Sequence, residues 1–171
     1  MVSAAGEELS SNLEDYLETI YHLEKESRVA RAKDIAERLD VSRASVTGAL
    51  KTLGEKGLIN YEPYSYVTLT KKGQGIASEV DRRHRVLKGF FQDFLQLGPE
   101  VSDANACRVE HAMDQEAINR LVDFLAFLVE CPRTGPDWLE SFDRYCRDQR
   151  NPERCRSCLE QCLARASEPA S

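Results

Sequence analysis

The hydrophobic period of this chain changes at Gly57, and that change narrows the fold more than any other feature. Upstream, Asn12 stands as a helix cap before Leu13, Tyr16, Leu17, Ile20, Tyr21 and Leu23, which recur at helical spacing to about Glu26. A short helix is predicted over 32–39, with Ile35, Ala36 and Leu39 facing inward. After a turn at Asp40-Val41, Ser42 caps a third helix from about Arg43 to Lys56, which Gly57 stops in the usual C-terminal position. Downstream, Leu58-Ile59-Asn60-Tyr61 and Tyr66-Val67-Thr68-Leu69-Thr70 read as two short strands joined by a loop carrying Pro63 and Ser65. Helix, short helix, turn, helix and hairpin is the order of a winged helix-turn-helix. A generic α+β domain is the alternative.

Helical spacing resumes after Lys71-Lys72-Gly73, through Ile76, Val80, Val86, Leu87, Phe90, Phe91, Phe94 and Leu95, and stops at Gly98-Pro99. Two more helices are predicted over 101–113 and 115–129. The second carries an apolar stripe of Ile118, Leu121, Val122, Leu125, Phe127 and Leu128, which either closes the monomer's core or buries against a second subunit. Cys131-Pro132 opens a tail in which Trp138, Leu139, Phe142 and Tyr145 suggest a short helix, with another over 152–166. The expected fold class is mainly α, in three parts: a winged head over 1–72, an all-helical unit over 73–130 and a cysteine-containing helical extension over 131–171.

At 171 residues, 30% charged and 42% hydrophobic, the composition is that of an ordinary soluble protein. No apolar run approaches the roughly 20 residues that cross a membrane. Residues 1–12 lack the basic and apolar regions of a secretory signal, so a cytoplasmic location is expected and the six cysteines read as thiols or metal ligands. The net charge of −6 argues on average against nucleic acid, yet it is unevenly spread. Residues 1–27 hold one Lys against seven acids, 28–75 hold nine Lys/Arg against five, and 76–130 hold six against ten. A basic segment between two acidic ones can face DNA while its neighbours face something cationic, although a mosaic surface gives the same sums.

Cys107-Arg108-Val109-Glu110-His111 is a candidate holder of such a cation. A thiol, a carboxylate and an imidazole at i, i+3 and i+4 share one helix face and together suit a divalent transition metal. A buried Cys beside a solvated Glu and His is the bland reading of the same residues.

With these parts assembled, the chain resembles the metal-dependent repressors of the diphtheria toxin repressor and manganese transport regulator family. The matching stretches are Asp15-Tyr16-Leu17-Glu18-Thr19-Ile20-Tyr21, Asp34-Ile35-Ala36-Glu37-Arg38-Leu39 and Ser45-Val46-Thr47. Lys56-Gly57-Leu58-Ile59, Leu69-Thr70-Lys71-Lys72-Gly73, His84-Arg85 and Ala106-Cys107-Arg108-Val109-Glu110-His111 follow in family order. The resemblance covers about residues 10–130 and fits the short, two-domain form. It implies a cytoplasmic, homodimeric, DNA-binding regulator that is no enzyme, with a metal site joining the first helix to the dimerisation helices.

By that resemblance the metal ligands are Asp15, Glu18, His84, Cys107, Glu110 and His111. Asp15 and Glu18 also share a helix face by spacing. If Cys107 ionises, the cluster carries −4, and two divalent cations would neutralise it and join the helices. Asp15 stands where iron-responsive members carry Met, which points to manganese; Cys107 is an iron-branch feature, so Fe(II) is slightly preferred over Mn(II). Lys88 and Asp103 stand where the iron type has further ligands, so a separate second site of that type is not expected and a binuclear cluster using Glu18 is. His22, one turn beyond Glu18, reads as a surface or packing residue.

The third helix would enter the major groove of a roughly palindromic operator. Ser42, Arg43, Ala44, Ser45, Thr47 and Lys51 are the expected contacts, with Arg43 forked onto a guanine edge. Arg31, Lys33, Lys71 and Lys72 would hold phosphates, and Tyr64 and Tyr66 could touch the sugar-phosphate edge. In the tail, Cys146, Cys155, Cys158 and Cys162 invite zinc or an iron–sulfur cluster. A winged-helix regulator sensing redox state or a cluster through those thiols is therefore the rival function, and a metallohydrolase using Cys107, Glu110 and His111 is a more distant one.

Overall fold

A computed structural model describes residues 9–27, 29–62, 65–130 and 138–147, together with Arg156 and Glu160. Among them α1 (Ser11–Ser27), α2 (Ala32–Leu39), α3 (Arg43–Glu55), β1 (Ile59–Asn60) and β2 (Thr68–Leu69) make the head. Then come α4 (Lys71–Gly89), a π-helical turn (Phe90–Phe94), α5 (Pro99–Val109), α6 (Gln115–Glu130) and α7 (Trp138–Arg147). The architecture is mainly α with a two-stranded antiparallel sheet, as the periodicity predicts.

Local chemistry explains the joints. The Ser10 carbonyl accepts the Leu13 and Glu14 N–H groups, so α1 begins two residues earlier than a cap at Asn12 would allow. Asp40 closes α2 in the left-handed region at φ 51°, and its N–H returns to the Ala36 carbonyl. Ser42 then caps α3, its Oγ accepting the Ser45 N–H at 3.1 Å. Gly57, at φ 69°, ends α3 in a Schellman motif: Leu58 N–H reaches the Leu53 carbonyl and Gly57 N–H the Gly54 carbonyl.

The paired strands are shorter than the sequence suggests. The ladder holds Ile59 against Leu69 and Asn60 against Thr68, and a lone bridge from Val67 to Ala30 ties the wing to the segment before α2. At Gly73 the start of α4 lies so close to the wing that an added Cβ would fall 1.9 Å from the Leu58 carbonyl oxygen. Only glycine permits that approach.

Two cores follow. The head buries Tyr16, Leu17, Ile20, Ile35, Val46, Leu50, Leu53, Leu58 and Val67. A smaller one, Leu87, Ala106 and Ile118, joins α4, α5 and α6. The long helix expected to reach Leu95 turns π-helical at Phe90, where the Leu95 N–H bonds back five residues. Helix α5 ends at Val109, because the Ala112 and Met113 N–H groups both fold back to the Val109 carbonyl.

The apolar stripe of α6 closes the monomer's core in part: Leu121 packs beside Ile118, and Leu125 and Leu128 are half-buried, while Val122 and Phe127 stay exposed. Ile118 alone is buried on that helix, whereas Phe124 is 52% exposed, Phe127 54% and Val129 70%. Each half-exposed Phe forgoes half of the roughly 1.5–3 kcal/mol that full burial brings, so this face has the character of a subunit interface. The Trp138 ring of α7 lies 5.8 Å from Phe94. No helix of the described residues is long and apolar enough to cross a membrane.

Candidate metal centre and DNA-reading face

Helix α4 packs between α1 and α5, which brings acids of α1 to the end of α5. Two groups of ligand atoms assemble there, Asp15–Glu110–His111 and Glu18–His84–Glu110. Glu110 belongs to both. Its Oε2 lies 2.6 Å from His84 Nδ1, and its Oε1 lies 3.3 Å from His111 Nε2. The side chain is fully buried and Oε1 has no hydrogen-bond partner. An orphaned buried carboxylate oxygen is costly unless something cationic meets it. Asp15 Oδ1, 2.8 Å from His111 Nε2, faces the same space. Oxygen and imidazole donors of this kind fit a divalent ion, so the residues present suit the metal that the sequence implies.

Protons hold these places when no cation does. Burial, then the Glu110 charge, pushes the Glu18 carboxyl up to about 7. Hydrogen bonds to Asp15 and Glu14 raise His111 to about 10, and the Glu110 hydrogen bond raises His84. Both groups of ligands must therefore give up protons to a metal. Loading at pH 7 is expected to release roughly one proton or more, with affinity rising as pH climbs toward the His111 value. Calorimetry in buffers of different ionisation enthalpy measures it; heats independent of buffer would contradict the assignment of His111.

Cys107 is placed differently from the expectation. It is exposed and joins neither group, although Glu110, whose N–H still bonds to the Ala106 carbonyl, continues the helical turn that Cys107 starts. Burial and the carboxylates of Glu110, Asp15, Glu18 and Asp103 push its thiol up, so the metal-free cluster lacks the thiolate in the −4 count. Lys88 Nζ sits 2.5 Å from Asp103 Oδ1, itself 3.3 Å from His84 Nε2; a fixed ammonium thus occupies the outer side of His84. His22 lies 3.4 Å from Asp81 and 3.7 Å from Glu18, in a third ligand-type group whose Asp81 also pairs with Arg85 and Lys25.

Sequence reasoning missed Glu14, Asp81 and Arg83. Glu14 Oε2 accepts from or pairs with His111 Nδ1 at 2.6 Å across 97 residues of chain. Its one sequence signal was adjacency to Asp15.

On the head, Arg43, Ala44, Thr47, Gly48 and Lys51 form an exposed face of α3, and an added Cβ at Gly48 would meet nothing. The Ser42 and Ser45 hydroxyls are 2.9 Å apart and Thr47 donates to the Arg43 carbonyl, so these three are engaged locally. Lys33 pairs with Glu37 at 3.5 Å and Lys51 with Glu55 at 3.9 Å, exposed contacts worth little that a phosphate could replace. Arg31 donates to the Tyr66 hydroxyl at 3.3 Å and lies over its ring, which ties it to the wing. Lys71 and Lys72 are exposed. Tyr64, Cys155, Cys158 and Cys162 fall outside the described residues; Cys146 is exposed and joins no ligand group among them.

A winged DNA-reading head coupled to a carboxylate–histidine centre at its junction with helices bearing an open apolar face defines a metal-binding transcription regulator. Residues 8–67 match the family described as "Iron dependent repressor, N-terminal DNA binding domain", and residues 70–139 match "Iron dependent repressor, metal binding and dimerisation domain". The chain belongs to this iron-dependent repressor family, the one its sequence resembles, whose members are DNA-binding regulators and not enzymes.

An uncharacterized HTH-type transcriptional regulator of Methanocaldococcus jannaschii is 37% identical over 118 residues, 68% of this chain and 94% of that protein. The iron-dependent repressor IdeR of Mycobacterium tuberculosis strain H37Rv is 37% identical over 129 residues, 75% of this chain and 54% of its own length. The solved structure of the manganese regulator SloR superposes with a TM-score of 0.62 at 32% identity, covering 70% of this chain and 55% of that one. The chain thus spans about half the length of the IdeR and SloR relatives.

Proposed function

We propose that this protein is a homodimeric repressor of metal-uptake genes that reads a roughly palindromic operator, with Fe(II) or Mn(II) as corepressor. The observation that carries the reading is Glu110. It is buried, one of its oxygens is orphaned, and it is shared by ligand groups that reach α1, α4 and the end of α5. Asp15 and Glu18 belong to the head, His111 and Glu110 to the dimerisation unit. A divalent cation supplies the positive charge that this convergence of carboxylates calls for. Asp15, Glu18, His84, Glu110 and His111 would hold two such ions with Glu110 between them, and so hold the reading heads at one separation. Thermodynamically the liganded arrangement need only be the one that binds DNA better, since coupling between sites is reciprocal.

The ground for preferring iron was a Cys107 thiolate. With that thiol exposed and outside both groups, the donor set is oxygen and imidazole, and the two metals stand level. Anaerobic gel shifts with Fe(II), Mn(II) and Zn(II), paired with metal analysis of the purified protein, test the reading. The expected result is retardation of operator DNA only when metal is present, and equal retardation with and without metal would overturn it.

A further inference from the structure

The geometry points to Glu14, held by Arg83, as the positioning residue that decides which nitrogen of His111 is offered to a cation. This rests on the metal-site reading above and adds a part to it. The two ring nitrogens of His111 open on opposite edges. Nε2 faces Asp15 Oδ1 and the orphaned Glu110 Oε1, at 2.8 and 3.3 Å. Nδ1 faces Glu14 Oε2 at 2.6 Å. Glu14 belongs to neither ligand group, and it lies on the wrong edge of the ring to share an ion with Asp15. A carboxylate meets each edge of the ring, but Asp15 belongs to the ligand group and can turn to an ion, whereas Glu14 does not. An Nδ1–H kept on Glu14 therefore leaves Nε2 as the nitrogen open to a cation.

Arg83 fixes Glu14 in turn. Its Nη2 lies 3.5 Å from Glu14 Oε1, and its Nη1 donates to the Glu110 carbonyl at 3.0 Å and reaches the Met113 carbonyl at 3.5 Å. One guanidinium therefore joins the acid of α1 to the backbone on either side of His111. Its Nε is buried without a partner, so the group is held through its two terminal nitrogens. The side chains of His111, Glu14 and Arg83 are 10%, 15% and 14% exposed. A hydrogen bond so withdrawn from water is stronger than the same bond at the surface. Carboxylate partners of metal-bound imidazoles typically carry 10–100-fold in affinity, which sets the size of effect to look for.

The test uses Zn(II) as a diamagnetic probe on the full chain. Zinc affinity is measured by chelator competition, and the protonation of each His111 ring nitrogen by long-range proton–nitrogen NMR. Wild type should carry zinc on Nε2 and hydrogen on Nδ1. Glu14→Met, similar in length but without an acceptor, should lose about 10–100-fold in zinc affinity and lose the protected Nδ1 hydrogen. Glu14→Gln, whose amide oxygen still accepts, should recover most of both. If Glu14→Met lowers the melting temperature of the metal-free protein too far for titration, Arg83→Met interrogates the same clamp from its other side. Zinc on Nδ1 in wild type, wild-type affinity in Glu14→Met, or a Gln variant as impaired as the Met variant would overturn the proposal. Zinc on Nε2 in a wild-type protein that shows no metal-dependent operator binding would sink the repressor reading and leave this one standing.

Discussion

Glu110→Gln is expected to abolish metal-dependent operator binding while the metal-free protein keeps its fold. The substitution preserves shape and leaves an amide oxygen to meet His84 Nδ1, so little packing is lost in a side chain that is fully buried. What disappears is the negative charge common to both ligand groups. Residues that merely orient a ligand cost 10–100-fold in metal affinity when removed. A ligand shared by two ions should cost more than about 100-fold, since each ion loses an anionic oxygen at once. His111→Ala should fail similarly, though it also opens a cavity and is the less clean variant. Gel shifts against rising Mn(II) or Fe(II), with thermal melts of the metal-free proteins as a fold control, check both. A metal-dependent shift in Glu110→Gln at the wild-type metal concentration would remove Glu110 from the centre.

The head was legible because its signals are local. Ser42 and Gly57 act within a few residues of themselves, and their cap and Schellman hydrogen bonds are as the sequence predicts. The Asn12 cap was misplaced for an equally local reason: a backbone carbonyl, that of Ser10, can anchor a first turn without announcing itself in the sequence. The wing was overread, because apolar alternation marks which residues can lie in a strand, while pairing depends on a partner; here the bridge partner is Ala30, which has no strand pattern around it.

The candidate site was half visible. Asp15, Glu18, His84, Glu110 and His111 are types and spacings that speak for themselves, and they do converge. Cys107 shares a helical turn with Glu110 by its spacing, yet its thiol joins neither ligand group. Glu14 and Arg83 act across 97 and 27 residues of chain, through contacts that only the packing of α1 against α4 creates. Periodicity carries no information about such contacts.

Arg43→Ala should separate sequence reading from DNA affinity. Arg43 opens α3, is exposed, and its guanidinium makes no hydrogen bond or ion pair among the described residues, so it is free to fork onto a base edge. A bidentate contact to guanine is worth about 1–3 kcal/mol, and a dimer uses it twice. Operator affinity should therefore fall by about 2–6 kcal/mol, roughly 30-fold to 10⁴-fold, while binding to unrelated DNA falls far less. Lys33→Ala provides the contrast. Removing a phosphate contact should weaken both DNAs alike and reduce the salt dependence by about one counterion per head. Gel shifts or anisotropy titrations on operator and scrambled DNA at several salt concentrations distinguish the two. Equal losses on both DNAs for Arg43→Ala would show that this arginine only holds phosphate, and that the operator is read by the smaller side chains of α3 or by the shape of the duplex.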